Sequence, residues 1–143
     1  MDVNAVYIFD APVDKVWKVL LDPDTIANCL PGCEQLTPLN DGQYEAHLTI
    51  AVGAIRGKYK AKVTLADLNP NQSYTLTIEG NGTPGFVKGQ AHIALNEISD
   101  KTHVTVEGHA QVGGIIARVG QRLMSGMNKM MMDKFFSCMQ EKV

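Results

Sequence analysis

Side chains able to do covalent or acid–base chemistry are few and scattered in this chain. Cys29, Cys33 and Cys138, with His47, His92, His103 and His109, are the candidate nucleophiles, bases and soft metal ligands. Cys29 and Cys33 stand as C-x3-C in CLPGC, a spacing open to a redox pair, but no second pair or nearby histidine completes a zinc site. Three cysteines are an odd set rather than a disulfide framework, so reduced thiols in a cytoplasmic setting are expected. Gly80-Asn81-Gly82-Thr83-Pro84-Gly85 spells G-x-G-x-x-G, yet a dinucleotide loop must run into a helix whose amides face the pyrophosphate. The continuation FVKGQAHIAL reads as a strand, so a glycine-rich hairpin loop is the better account. No G-x-S-x-G, Walker loop or H-E-x-x-H occurs. These residues predict no catalytic set, no metal site and no cofactor.

The chain has a greasy face instead. Six of its seven methionines lie between Met124 and Met139, in a segment that reads as a closing helix. Taking Ile116 as zero and about 100° per residue, Val119, Gly120, Leu123, Met127, Met130, Met131 and Cys138 gather on one side, with Lys134 in the same stripe. Arg118, Gln121, Arg122, Ser125, Asn128 and Lys129 gather on the other. Taken singly, each methionine is ordinary core filler. Together, unbranched thioethers form a wall that conforms to irregular apolar shapes. Met132, Phe136 and Met139 interrupt the polar side. Either neighbouring residues such as Trp17 or Val19 cover that patch, or it marks a partner or an anionic membrane surface served by Lys129, Lys134 and Lys142.

The elements that position these residues follow from periodicity. Residues 3–9 read as a first strand, and Val13–Leu21 as a short helix after Ala11-Pro12. A second short helix, capped by Asp24, carries Ile26 and Leu30 and ends at Pro31-Gly32. Strands then follow to Val112, with breaks at Asn40-Asp41-Gly42, near Gly57, at Asn69-Pro70-Asn71, at Gly80 to Gly85 and at Ser99-Asp100. Connections this short suit antiparallel hairpins. Gly113-Gly114 opens the long helix, roughly Ile115 to Glu141.

Alternation along those strands separates two faces. The inner register holds Tyr44, Ala46, Leu48, Ile50 and Val52; Tyr59, Ala61, Val63 and Leu65; Tyr74, Leu76 and Ile78. Val87, Gly89, Ala91, Ile93 and Leu95 continue it, then Val104, Val106, Gly108, Ala110 and Val112. All four histidines and the row Lys58, Lys60, Lys62 fall on the outer register. The inner face is short of volume at Ala46, Ala61, Gly89, Ala91, Gly108 and Ala110, where a filled core would carry Leu or Phe. A hollow under a curved sheet is expected there, unless Trp17, Phe9 and the methionines fill it.

The whole chain is 143 residues with 45% hydrophobic and 20% charged residues, which suits one soluble domain, residues 1–143. Thirteen basic against fifteen acidic residues argues against a nucleic-acid partner. No apolar run is long enough to span a bilayer, and the N-terminus has no secretory pattern.

The order strand, two short helices, sheet and long helix resembles the helix-grip fold shared by START-type lipid-binding and polyketide-cyclase-like proteins. More narrowly, the chain is similar to the CoxG family of carbon monoxide dehydrogenase subunits. The residues that carry the likeness are Phe9, Ala11-Pro12, Val16-Trp17, Leu21-Asp22 and Cys29-Leu30-Pro31-Gly32-Cys33-Glu34. Asp41-Gly42-Tyr44, Val52-Gly53 with Gly57, and Gly113-Gly114 through Gly120 add to it. The resemblance implies an accessory of a carbon monoxide dehydrogenase-type molybdenum hydroxylase, acting in the cytoplasm or at the inner face of the membrane. It also implies a role in maturing that enzyme or carrying a quinone to it.

The expected architecture is therefore α+β, a curved antiparallel sheet of about seven strands wrapped around the C-terminal helix. The expected function is non-covalent binding of a lipophilic molecule, a quinone or a lipid. Ala61, Ala91, Gly108 and Ala110 would make room, while Leu123, Met127, Met130 and Met131 form the wall. Tyr44, Tyr59 and Tyr74 would orient a carbonyl or hydroxyl. Peripheral membrane contact and a homodimer stay open as further associations. The rival readings are a filled-core assembly factor and a cyclase- or hydrolase-like enzyme on the same fold. The latter would need inward acids or bases, which the inner register almost lacks.

Overall fold

A computed structural model describes residues 1–51 and 56–143, leaving aside the side chains of Val119 and Gln121. Val52 and Gly53, which the sequence places in the inner register and the family likeness, lie outside the described residues, as does the side chain of Val119. Strand β1 (Asp2–Phe9) leads into helices α1 (Val13–Leu21) and α2 (Pro23–Cys29). Six strands follow: β2 (Cys33–Asn40), β3 (Gln43–Ile50), β4 (Gly57–Asn69), β5 (Ser73–Gly82), β6 (Gly85–Ile98) and β7 (Lys101–Gly114). A 3-10 turn (Ile115–Val119) and the long helix α3 (Gln121–Glu141) close the chain.

The seven strands form one antiparallel sheet in the order β1-β7-β6-β5-β4-β3-β2. Every neighbouring pair is consecutive in the chain except β1 and β7, which is where the first strand meets the last. This is the α+β helix-grip arrangement expected from the sequence. Both short helices begin with help from acidic side chains. The Val13 amide of α1 donates to Glu97 Oε1 at 2.8 Å, satisfying one of the amides a helix start leaves unpaired. In α2 the cap is Asp22, not Asp24 as expected. Asp22 accepts from the Asp24 amide and the Thr25 hydroxyl while Pro23 takes the first turn, where its missing N–H costs nothing.

The inner and outer registers fall as the alternation predicts. Phe9, Val16, Leu20, Ile93, Val104, Phe136 and Met139 make the largest core cluster, under α1, α2 and the last turns of α3. The buried Thr102 hydroxyl donates to the Ala11 carbonyl at 2.8 Å and ties the first crossover to β7. Helix α3 packs its backbone against α2 more extensively than against any strand.

Candidate functional site

The inner face of the sheet is dry at one end and accessible at the other. Leu65, Tyr74, Ile93, Leu95, Val104 and Val106 are buried beneath the helices, whereas Val87, Gly89, Ala91, Gly108, Ala110 and Val112 are half-exposed. The small residues at the accessible end are cross-strand neighbours. Gly89 faces Ala110 and Ala91 faces Gly108 across β6–β7, while Ile78 and Leu76 face Gly89 and Ala91 across β5–β6. Gly108 is small for a second reason: a Cβ there would stand 2.5 Å from the Gln90 carbonyl oxygen and 2.9 Å from Ala91, so it lets β6 and β7 close up as well as leaving room.

A cleft of about 400 Å³ opens at this end between Ala110 and Val112 of β7, Ala117 of the 3-10 turn, and Gly120 and Met124 at the start of α3. Met1, Phe86 and the polar Gln111 complete its rim. β1 stops pairing at Asp2, and the Met1 ammonium and carbonyl continue the ladder by one residue through the Ala110 carbonyl and amide, at 2.9 and 2.8 Å. Beyond that point the edge of β7 is open. A second groove of about 190 Å³ runs along the seam between β1 and α3.

That seam is closed by a polar chain. The Tyr7 hydroxyl donates to Asp133 Oδ1 at 2.8 Å, and Lys129 Nζ reaches Asp133 Oδ2 at 2.7 Å. The Lys129 hydrogen bond, then that of Tyr7, holds the Asp133 carboxyl below its ordinary range, while burial, then the adjacent carboxylate, pushes the Tyr7 phenol up. The Tyr7 ring stacks on Phe136 at 4.3 Å, and Gln140 Nε2 donates to the Ile8 carbonyl at 2.9 Å. A protonated phenol beside an ionised, ion-paired carboxylate is a clamp on the helix.

Of the residues expected to bind a ligand, Ala110 lines the larger cleft. Met127 is buried, Met130 is half-buried, and Met131 packs against Ile50, Tyr59 and Ile116. Ala61 sits in a separate cluster with Ala46 and Val63, with Tyr44 packed against it. Ala91 packs against the main core. Tyr74, 3% exposed, meets Trp17 edge-on at 5.7 Å, with no hydrogen bond to its hydroxyl among the described residues. Burial raises the phenols of Tyr59 and Tyr74.

Leu123 requires a correction, since it is 53% exposed rather than part of an inward wall. Phe136 and Met139 are core residues at 4% and 0%, with Trp17, Val19 and Met132 packed partly buried against their cluster, so of the two readings of that patch the covered one holds. The cause lies at Gly120. Its φ of 92° separates the 3-10 turn from α3, so the helix restarts there and its inward face lies about one residue's rotation from that of an unbroken helix. A wheel drawn from Ile116 for that reason gives Met124 no face, although it lines the cleft. Met1 and Phe86 carry no periodic signal at all.

The cysteines require the second correction. Cys29 and Cys138 form a disulfide across α2 and α3, Cα–Cα 5.3 Å, and Cys33 is the free thiol. The expected set of three reduced thiols is overturned because the two helices pack side by side. No C-x3-C pair forms. The cytoplasmic placement argued from free thiols loses that support, since disulfides favour oxidising compartments. Burial raises the Cys33 thiol, which leaves it a poor nucleophile. The histidines stay on the outer face, His47 beside Glu45 and His109 beside Asp2, each at 3.0 Å. No metal-binding cluster occurs among the described residues. No helix among them is long and apolar enough to cross a membrane.

Residues 8–143 match the sequence profile of the CoxG family of carbon monoxide dehydrogenase subunits. Among solved structures, a conserved protein from Geobacillus kaustophilus is 34% identical with a TM-score of 0.97, over 99% of this chain and 94% of that one. A protein of Thermus thermophilus is 12% identical at a TM-score of 0.74, over 99% and 96% of the two chains. The Zhui aromatase/cyclase of a Streptomyces species is 12% identical at 0.68, over 99% and 92%. The last two likenesses establish the fold alone. No curated protein matches the sequence.

Proposed function

Because this chain belongs to the CoxG family of carbon monoxide dehydrogenase subunits, we propose that it is a non-enzymatic accessory of a carbon monoxide dehydrogenase-type molybdenum hydroxylase, holding a quinone or lipid in the cleft between sheet and α3. The observation that carries this reading is the coincidence of three features at one end of the sheet. The inner face there is half-exposed, its small residues adjoin across β6 and β7, and α3 stands off enough to leave about 400 Å³. That volume is at the lower end of the range for small-molecule sites. A fused ring burying ~200 Å² of apolar surface there would be favoured by about 5 kcal/mol before the costs of association. Met124, Met127 and Met131 supply side chains that rearrange around a guest at little cost. The phenol on the inner register that packs among residues of this end is Tyr59, in a cluster with Ile116 against which Val112 and Met124 pack.

The described strands carry no imidazole on the inner register, and Glu97, a carboxylate that faces the helices, is engaged by the Val13 amide at the closed end, which favours holding over transforming. The filled-core alternative, an assembly factor acting by contact alone, is weighed by the same experiment. A naphthoquinone with a short prenyl tail, dispersed in cyclodextrin, is added to the protein; native mass spectrometry and Trp17 fluorescence report uptake. One quinone per chain with saturable quenching is expected. Ala110→Phe fills the cleft and should weaken uptake by ~10-fold or more, equivalent to about 1.4 kcal/mol. No uptake by the wild type, together with no lipophile co-purifying from cells, would remove the basis of the ligand-binding role.

A further inference from the structure

We propose that the outer edge of β1 pairs with the same edge of a second copy of this chain, joining two sheets through an antiparallel β1–β1 contact. The hydrogen-bond parity of the strand prepares that edge. Met1 exchanges both backbone bonds with Ala110, at 2.9 and 2.8 Å, so Val3 with Gly108, Ala5 with Val106 and Tyr7 with Val104 repeat the pattern at every second residue. The N–H and C=O groups of Asp2, Asn4, Val6 and Ile8 therefore point away from β7. The Ile8 carbonyl takes Gln140 Nε2 from that outward side at 2.9 Å. The same four residues are exposed, Val6 at 58% and Ile8 at 51%. The groove of about 190 Å³ beside Asp2, Val3, Asn4 and Ala5 shows that α3 does not seal the edge there.

The two edges of the sheet are built differently. β2 carries Pro38 and two register shifts, between Cys33 and Gln35 and between Pro38 and Asn40, devices that discourage a further strand. β1, DVNAVYIF, keeps an unbroken register from Asp2 to Phe9 and holds neither proline nor lysine. A strand antiparallel to itself across a two-fold axis must be self-complementary. With Ala5 on the axis, Asn4 meets Val6 of the second copy and Asp2 meets its Ile8, so each outward group from Asp2 to Ile8 finds a partner. The Ile8 carbonyl has a second lone pair beside Gln140. Val6 approaches its own copy on the diagonal of the outer face. Charge suits the contact as well. Asp2 is the one charged residue of the strand, lies 3.0 Å from His109, and stands opposite an isoleucine rather than another carboxylate. Area sets the strength. Seven residues make an edge about 23 Å long, and one sheet layer is ~10 Å thick. That strip falls short of the ~800 Å² per partner of a standard interface, so the dimer is weak, dissociating in the micromolar range.

The test is sedimentation velocity of the full chain over a concentration series, with amide hydrogen exchange followed by NMR at both ends of it. A mass rising from that of one chain to that of two is expected, with no Cys33 cross-link on a non-reducing gel. Raising the concentration should slow exchange several-fold at Asn4, Val6 and Ile8. Val3, Ala5 and Tyr7, already bonded to β7, should not change. Val6→Pro removes an N–H that the single chain does not use, so it should melt close to wild type yet stay monomeric. Val6→Lys keeps that N–H but sets two cations on one diagonal, and should weaken the dimer several-fold. It carries the test on its own if the proline variant fails to fold. Gln35→Lys, on the β2 edge, should leave the association unchanged. One chain's mass at every concentration overturns the proposal and leaves the edge to a foreign strand. A dimer at full strength in Val6→Lys, or one whose protection spares Asn4 and Val6, also overturns it, because another surface then joins the copies.

Discussion

At the scale of single residues, the helix clamp built from Tyr7, Asp133 and Lys129 converts a local hydrogen-bond pattern into a pH dependence. The Asp133 carboxyl is held below its ordinary value of 3.8, first by Lys129 and then by Tyr7. A carboxyl with a depressed folded-state pKa stabilises the fold fully above its unfolded value and loses that contribution as the pH falls through the folded one. The melting temperature of the wild type should therefore exceed that of Asp133→Asn by a constant margin near neutrality. The margin should shrink as the pH drops below 3.8. The phenol of Tyr7 has the opposite sign, raised from 10 chiefly by burial. Above that pH the unfolded phenol ionises while the folded one keeps its proton, so wild type should lose stability relative to Tyr7→Phe only in strong alkali. A margin for Asp133→Asn that is flat through the acid range would show that the contact does not form in solution.

At the scale of elements, strands and helix differ in how much of them can be read from the residues. Alternation predicts which strand residues face inward from Tyr44 to Val112 because a strand's period is two, and hairpin connections leave its phase no freedom. The phase of α3 is not legible in the same way. A helical wheel presumes one uninterrupted helix, and the 3-10 turn anchored by Ile116, followed by Gly120 at positive φ, breaks that premise. Gly120 has no heavy atom within 4 Å of where a Cβ would stand, so its backbone conformation, not crowding, calls for glycine. The displaced phase has a direct consequence for stability. Phe136→Ala, emptying a site stacked on Tyr7 and edge-on to Phe9, should cost about 3–5 kcal/mol in urea denaturation. Leu123→Ala, on the exposed side, should stay within about 0.5 kcal/mol of wild type. The reverse order of the two variants would restore the phase of an unbroken helix from Ile116.

At the scale of the whole molecule, the sheet grips α3 unevenly, and the disulfide lies at the tight end. The fold class was legible because element order and alternation are local properties of the sequence. The cleft was only partly so, since Met1, Phe86 and Ala117 reach it from a terminus, a hairpin and a turn that no periodicity links. The Cys29–Cys138 bond was not legible: it spans 109 residues, and only the packing of α2 on α3 brings the two cysteines together. A cross-link over so long a stretch limits the unfolded chain, and losing it from a domain of this kind typically costs about 2–5 kcal/mol. Tris(2-carboxyethyl)phosphine should therefore lower the melting temperature of the wild type, whereas Cys138→Ser should melt at the lower temperature with or without reductant. The Tyr7 clamp, the Gln140 contact and the Phe136 stack hold α3 to β1 independently of that bond's two residues. Quinone uptake at the far end should accordingly change by less than about two-fold on reduction. Three titratable thiols in untreated, denatured wild type, with no response to reductant, would mean that α2 and α3 pack without a covalent link.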